Sequence, residues 1–321
     1  MNRPSRHLPG IFYLLAAFSA FCVNPQKSFA SPALPDIYGV HGMDAFRLSV
    51  DKGWNWTAPA NLLDVEVEPD GSVLFAGGAA GAFLLKESQG AWREAWNWET
   101  LGLKPGDLVS LTAAERDPYG RANLILAAEP AKSRIFLAEA RSHQVKIRWE
   151  YRTALPPRQV EVCPDNGRFL VLSGDGKTGG AWKLEEVDFR LEKPAWFLKP
   201  PSSLTSPAAA VRTTSGWTVV SDVGTGHVMA FNRSSAVMWE RALVEGALSA
   251  CPLALEKNRG RTCILAAATG MDGKTVLYRL DAAQGTILGR WDSRLKDGVA
   301  CPLPVLDALS PLPMTRAWRR H

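Results

Sequence analysis

Two interleaved series of markers constrain this chain more than any motif. Tryptophans stand at Trp56, Trp98, Trp149, Trp196, Trp239 and Trp291, 42 to 52 residues apart. Between them fall X-Pro dipeptides that follow short apolar or alternating runs: Glu68-Pro69, Asp117-Pro118, Cys163-Pro164, Ser206-Pro207, Cys251-Pro252 and Cys301-Pro302. The two series alternate, Trp then Pro, six times each. A fixed period of this length is the signature of a repeat architecture and outranks any single motif.

Each interval reads as four short strands. In the first, Leu62 to Glu68 alternates, and Pro69-Asp70-Gly71 makes a turn, because Pro presets φ and Gly takes the left-handed position. Val73 to Ala76, Ala82 to Leu85 and Ala91 to Trp98 follow. Nowhere does a helical period persist. Four strands per repeat predict an all-β fold, a β-propeller with six four-stranded blades, rather than a solenoid with open ends. A seventh blade is the alternative, if the tails hold more strand. The last blade is shared by the two ends: Asp44 to Val50 and Trp54 to Trp56 from the amino side, Val299 to Leu303 from the carboxyl side. Such closure removes edges that would otherwise pair with other chains.

Residues 1–30 read as a secretory signal peptide. Arg3, Arg6 and His7 form a basic start, Ile11 to Val23 is an uncharged apolar run, and Ser28 and Ala30 are small residues before a cut at Ser31. The run is too short for a transmembrane span, which needs about 20 apolar residues. Residues 31–321 are then one propeller domain in the periplasm or outside the cell. Removing Arg3, Arg6 and Lys27 from 37 basic residues leaves 34 against 32 acids, so the net charge falls from +5 to +2. That balance argues against nucleic acid or an anionic membrane as partner.

The repeat at Leu280 to Trp291, L-D-A-A-Q-G-T-I-L-G-R-W, resembles the unit of quinoprotein-type (PQQ-like) propellers, whose blades end in A-x-D-x-x-T-G-x-x-x-W. Asp281 and Gly285 match its spacing; Gln284 replaces the Thr and Trp291 comes two residues late. The architecture extends from Gly39 to Leu303, the sequence likeness over one blade. The resemblance implies that the six tryptophans and Gly285 lock neighbouring blades and do no chemistry. The family's dehydrogenases are larger, with a calcium site and adjacent cysteines that this chain lacks. A non-catalytic member with no cofactor is the expectation, like the periplasmic propeller that assists outer-membrane protein assembly.

Three candidate sites follow from residue placement. Cys163, Cys251 and Cys301 share the X-Pro position, and one level of a channel lined by first strands would bring three thiolates together for a soft metal. The same cysteines also fit buried packing, or a disulfide of Cys251 with Cys301 or with Cys263, and four mature cysteines allow three pairings. His41 and His227 fall in loops between second and third strands, as do Asp175, Asp222 and Asp272; with Glu66 and Glu161 these acids are the material for a calcium-dependent hydrolase or redox enzyme at the channel mouth. Trp92, Trp96 and Trp98 share one strand face, a candidate partner surface. No G-x-S-x-G, H-E-x-x-H or P-loop occurs. The sequence therefore predicts a protein-binding or scaffolding module, with an enzyme as the competing reading.

Overall fold

The chain divides into two compact units, Met1–Ala33 and Leu34–His321. The computed structural model describes, in the second unit, strand backbones between residues 37 and 93, residues 102–296 apart from short breaks, and residues 303–304; side chains are described within residues 102–290. Residues 1–30, expected to be a signal peptide, and Trp96, Trp98, His143, Cys251, Asp272, Cys301 and His321 lie outside the described residues.

Among the described residues, twenty-four strands make six four-stranded antiparallel sheets. The first sheet is β4 (Leu62–Val67), β5 (Val73–Gly77), β6 (Gly81–Leu85) and β7 (Trp92–Arg93), after β1 (Ile37–His41), β2 (Asp44–Leu48) and β3 (Trp54–Thr57). The second is β8 (Ser110–Arg116), β9 (Ala122–Glu129), β10 (Arg134–Arg141) and β11 (Gln144–Arg152). The third is β12 (Pro157–Val162), β13 (Arg168–Gly174), β14 (Trp182–Asp188) and β15 (Lys193–Phe197). The fourth is β16 (Pro207–Arg212), β17 (Thr218–Asp222), β18 (His227–Phe231) and β19 (Val237–Ala242). The fifth is β20 (Leu253–Asn258), β21 (Arg261–Thr269), β22 (Lys274–Asp281) and β23 (Ile287–Lys296). The sixth joins the chain ends in the order β24-β1-β2-β3, with β24 (Leu303–Pro304) opposite Tyr38 and Ile37. Among the described residues the only helical segment is a single 3-10 turn at Pro130–Lys132.

The sharing of the ends differs from expectation. Three strands come from the amino side and one from the carboxyl side, because Ile37–His41 adds a strand that the Trp and Pro markers do not flag. The fifth sheet's first strand is described from Leu253 onward, and residues 248–252 of the expected strand lie outside the described residues.

Middle strands show why the sheets stack. Leu124-Ile125-Leu126-Ala127-Ala128 is buried throughout, yet Leu124, Leu126 and Ala128 face one cluster while Ile125 and Ala127 face another. Phe169 and Val171 likewise pack towards the second sheet, Leu170 and Leu172 towards the fourth. Val228 and Ala230 meet the fifth sheet, Met229 and Phe231 the third. Side chains alternate across a strand, so an unbroken apolar run is stable only where both sheet faces are covered.

First strands follow one another in contact. β8 lies against β4 and β12, β16 against β12 and β20, and β24 against β20 and β4. Polar side chains lace this succession. Val160 N donates to Ser110 Oγ at 3.2 Å, and Ala210 N donates to Gln159 Oε1 at 2.8 Å, each bond crossing from one sheet to the next.

Candidate interaction surface

In the third, fourth and fifth sheets the fourth strand is introduced by a turn of one design. In the third sheet Asp188 Oδ1 accepts from the N–H groups of Arg190 and Leu191; in the fourth Asn232 Oδ1 accepts from Ser234 and Ala236; in the fifth Asp281 Oδ1 accepts from Ala283 and Gln284. The turn closes on a left-handed residue, Glu192 (φ 49°), Ser235 (φ 65°) or Gly285 (φ 66°). Short Asp and Asn side chains suit this role because they mimic a backbone acceptor two residues on.

A β-bulge follows every such turn. Registers shift so that Ala195, Met238 and Leu288 are the extra residues, and Arg148 is the extra one in the second sheet. A bulge twists its strand and re-aims the next side chain. Here the residues re-aimed are Trp149, Trp196, Trp239 and, in the fifth sheet, Gly289. Trp291 is late because a glycine holds the equivalent position.

The tryptophans reach the following sheet. Trp196 Nε1 donates to Arg233 O at 2.7 Å, and Trp239 Nε1 donates to Ala282 O at 3.1 Å, the same place in successive turns. Trp239 also lies flush on Gly285, where an added Cβ would come within 2.4 Å of the indole. Lys199 N donates to Ser235 Oγ at 3.0 Å and Arg241 Nε to Gly285 O at 3.0 Å. Trp149 instead packs edge-on against Phe189, 6.2 Å between centroids, and its buried Nε1 has no acceptor. Trp56 and Trp291 also lie on the outer strands of their sheets.

Charges are buried between the third and fourth sheets. Glu186, fully buried, pairs with Arg168 Nη1 at 2.8 Å, Arg212 Nη2 at 2.9 Å and Arg233 Nη2 at 3.5 Å. Arg212 donates to Thr218 Oγ1 and lies 5.3 Å above the Trp196 ring. Between the second and third sheets, Tyr151 has its phenol pushed above the ordinary range by burial and then by the neighbouring Glu185 carboxylate. The sequence shows Glu185-Glu186 as a pair that would be solvated on an open sheet; nothing local marks them as interior.

The residues singled out from sequence fall as follows. Cys163 is buried among Leu170, Leu172 and Leu184 and follows the end of β12; its two expected companions, Cys251 and Cys301, lie outside the described residues. Cys263 sits opposite Glu256, so this ladder does not place residue 251 across from it. Among the described residues no group of three His, Cys, Asp or Glu side chains converges as a metal site.

Asp222 is buried and accepts from Ser206 N, from Thr225 Oγ1 at 2.9 Å and from Thr205 Oγ1 at 3.4 Å, which ties the loops before β16 and β18 together. Asp175 is exposed in the loop after β13, and Glu161 is half-buried on β12. His227 pairs with Glu240 across β18 and β19, and His41 ends β1. Among the described residues no three of these acids and histidines converge. Glu66 and Trp92 lie on described strands.

What the structure adds is an apolar rim. Leu191, Phe197, Val237, Met238, Ile287 and Leu288 are 38–58 % exposed. All belong to the turns and outer strands of three consecutive sheets. The sequence hides them, because Val237-Met238 and Ile287-Leu288 read like strand core beside a tryptophan.

No known protein family and no characterised protein matches the chain. Among solved structures it is similar to a Bacteroides caccae protein of unknown function, with a TM-score of 0.59 and 16% identity over 84% of this chain and 99% of that one. A likeness at that identity reports a shared all-β fold.

Proposed function

We propose that the six sheets are the blades of a β-propeller of quinoprotein-type repeat, exported to the periplasm or beyond, and that it serves as a protein-binding scaffold. The unbroken succession of first-strand contacts from β4 to β24 and back to β4 supports the ring. The Asp-led turn, the left-handed residue and the indole docked on the next sheet support the repeat type. The apolar run at Ile11 to Val23 supports export.

One observation carries the binding role: six large apolar side chains stand in solvent on neighbouring outer strands and the turn before one of them. A solitary exposed Leu means little, but a rim repeated over three sheets is a patch of the kind that marks interaction sites. The experiment is native mass spectrometry of the protein isolated from its own cells, with metal analysis of the same sample. A discrete mass added by a second polypeptide is expected. A stoichiometric calcium, copper or quinone without protein would replace the scaffold by an enzyme using the channel mouth.

A further inference from the structure

We infer that the outer edge of the fourth sheet receives an extended, acidic and apolar peptide segment of the partner, laid along β19 as an added strand. This rests on the scaffold reading and names the chemistry of its ligand. Three observations converge on it.

The first is the open edge. β19 ends its sheet and is hydrogen-bonded to β18 alone, and five of its six residues are exposed. Exposed edges invite strand addition unless they are guarded. β11 is guarded by exposed Lys146, Arg148, Glu150 and Arg152; β15 is guarded by Lys193 and Pro194. β19 has no proline, and its outermost charges are a single Glu240 and Arg241, both engaged on their own surroundings. Beyond the bulge at Met238 the regular stretch Trp239–Ala242 remains for pairing.

The second is apolar side chains beside that edge. Val237 and Met238 stand exposed at the start of β19, between Phe197 on one neighbouring sheet and Ile287 and Leu288 on the other. Hydrogen bonds from Trp196, Lys199, Trp239 and Arg241 fasten each outer strand to the next turn, so these residues belong to one continuous rim. Alternate side chains of an added strand need such apolar contacts.

The third is charge. Exposed Arg190, Lys193, Lys199 and Arg241 line the rim against exposed Glu192 and Glu240. Asp188 and Asp281 are turned onto their own turns. An acidic segment complements this surplus of positive charge. An anionic bilayer would match the charge as well, but a lipid phase leaves edge N–H and C=O groups unsatisfied, whereas an extended peptide pairs them.

The test is fluorescence anisotropy of the mature protein with a short fluorescein-labelled peptide alternating Glu with Val, beside the same peptide with Lys for Glu. Flotation with phosphatidylcholine–phosphatidylglycerol vesicles runs in parallel. Binding of the Glu peptide alone is expected, weakened by salt as the screening length shortens. Val237→Glu/Met238→Glu should weaken it about tenfold or more, as loss of a central anchor does. Leu288→Glu, on a different strand, should weaken it less. These positions are exposed, and a melting temperature checks that each variant folds. Equal binding of the Lys peptide, wild-type affinity of the double variant, or capture by vesicles in place of peptide would overturn the proposal. If native mass spectrometry finds a partner while the Glu peptide fails to bind, the scaffold stands and this ligand falls; if neither binds, both fall.

Discussion

Gly285→Ala probes the contact between consecutive sheets. Gly285 is left-handed, and an L side chain there costs about 1–2 kcal/mol. The added carbon would also lie 2.4 Å from Trp239 Cε3 and 2.6 Å from its Cδ2. The indole cannot simply slide away, because its Nε1 is held by Ala282 O. Relieving that overlap costs a further ~1–3 kcal/mol, the usual range for overpacking. The whole substitution should therefore destabilise by about 2–5 kcal/mol. Gly216 supplies the control: its φ is +82° and nothing lies within 4 Å of an added Cβ. Gly216→Ala should cost only the conformational part, about 1–2 kcal/mol. Urea unfolding of both variants measures the difference. On a Trp239→Ala background the extra cost of Gly285→Ala should vanish, leaving the two glycine substitutions equal. If they cost the same in the wild-type background, the indole is not seated on Gly285 and the docking argument is wrong.

Other consequences are equally direct. Glu186→Gln leaves buried Arg212 and half-buried Arg168 against a neutral group and should destabilise by about 3–5 kcal/mol, measured by thermal unfolding; a cost near zero would mean the network is hydrated. The Tyr151 phenol should ionise above the usual tyrosine range in an ultraviolet titration, and Glu185→Gln should lower that value in part. The neutral phenol is favoured in the fold, so Tyr151 contributes stability below its unfolded pKa of about 10 that is lost as pH rises further. A chain ending at residue 302 lacks β24 and exposes β1 and β4, so its melting temperature should fall; an unchanged value would count against closure through the carboxyl end.

Sequence revealed the repeat because its markers are backbone requirements. The turn at Ala282 to Gly285 needs an acceptor at Asp281 and a left-handed residue four positions on, and both are legible as letters. Trp56, Trp149, Trp196, Trp239 and Trp291 lie on outer strands as expected. The late Trp291 held an unread signal: from the left-handed residue to the re-aimed one is four positions in each case, 192 to 196, 235 to 239 and 285 to 289, so Gly289 and not Trp291 fills the slot. The buried Glu186 and the exposed Met238 reverse ordinary polarity. Both depend on what the neighbouring sheet covers, which no local pattern encodes.

The most direct test of a binding rim is photo-crosslinking in the native cell, with a benzophenone amino acid placed singly at positions 197, 238 and 287, and at position 158 on the first strand β12. The account predicts adducts to one and the same partner polypeptide from the three rim positions and none from position 158. Adducts from position 158 alone, or none from the rim, would contradict it.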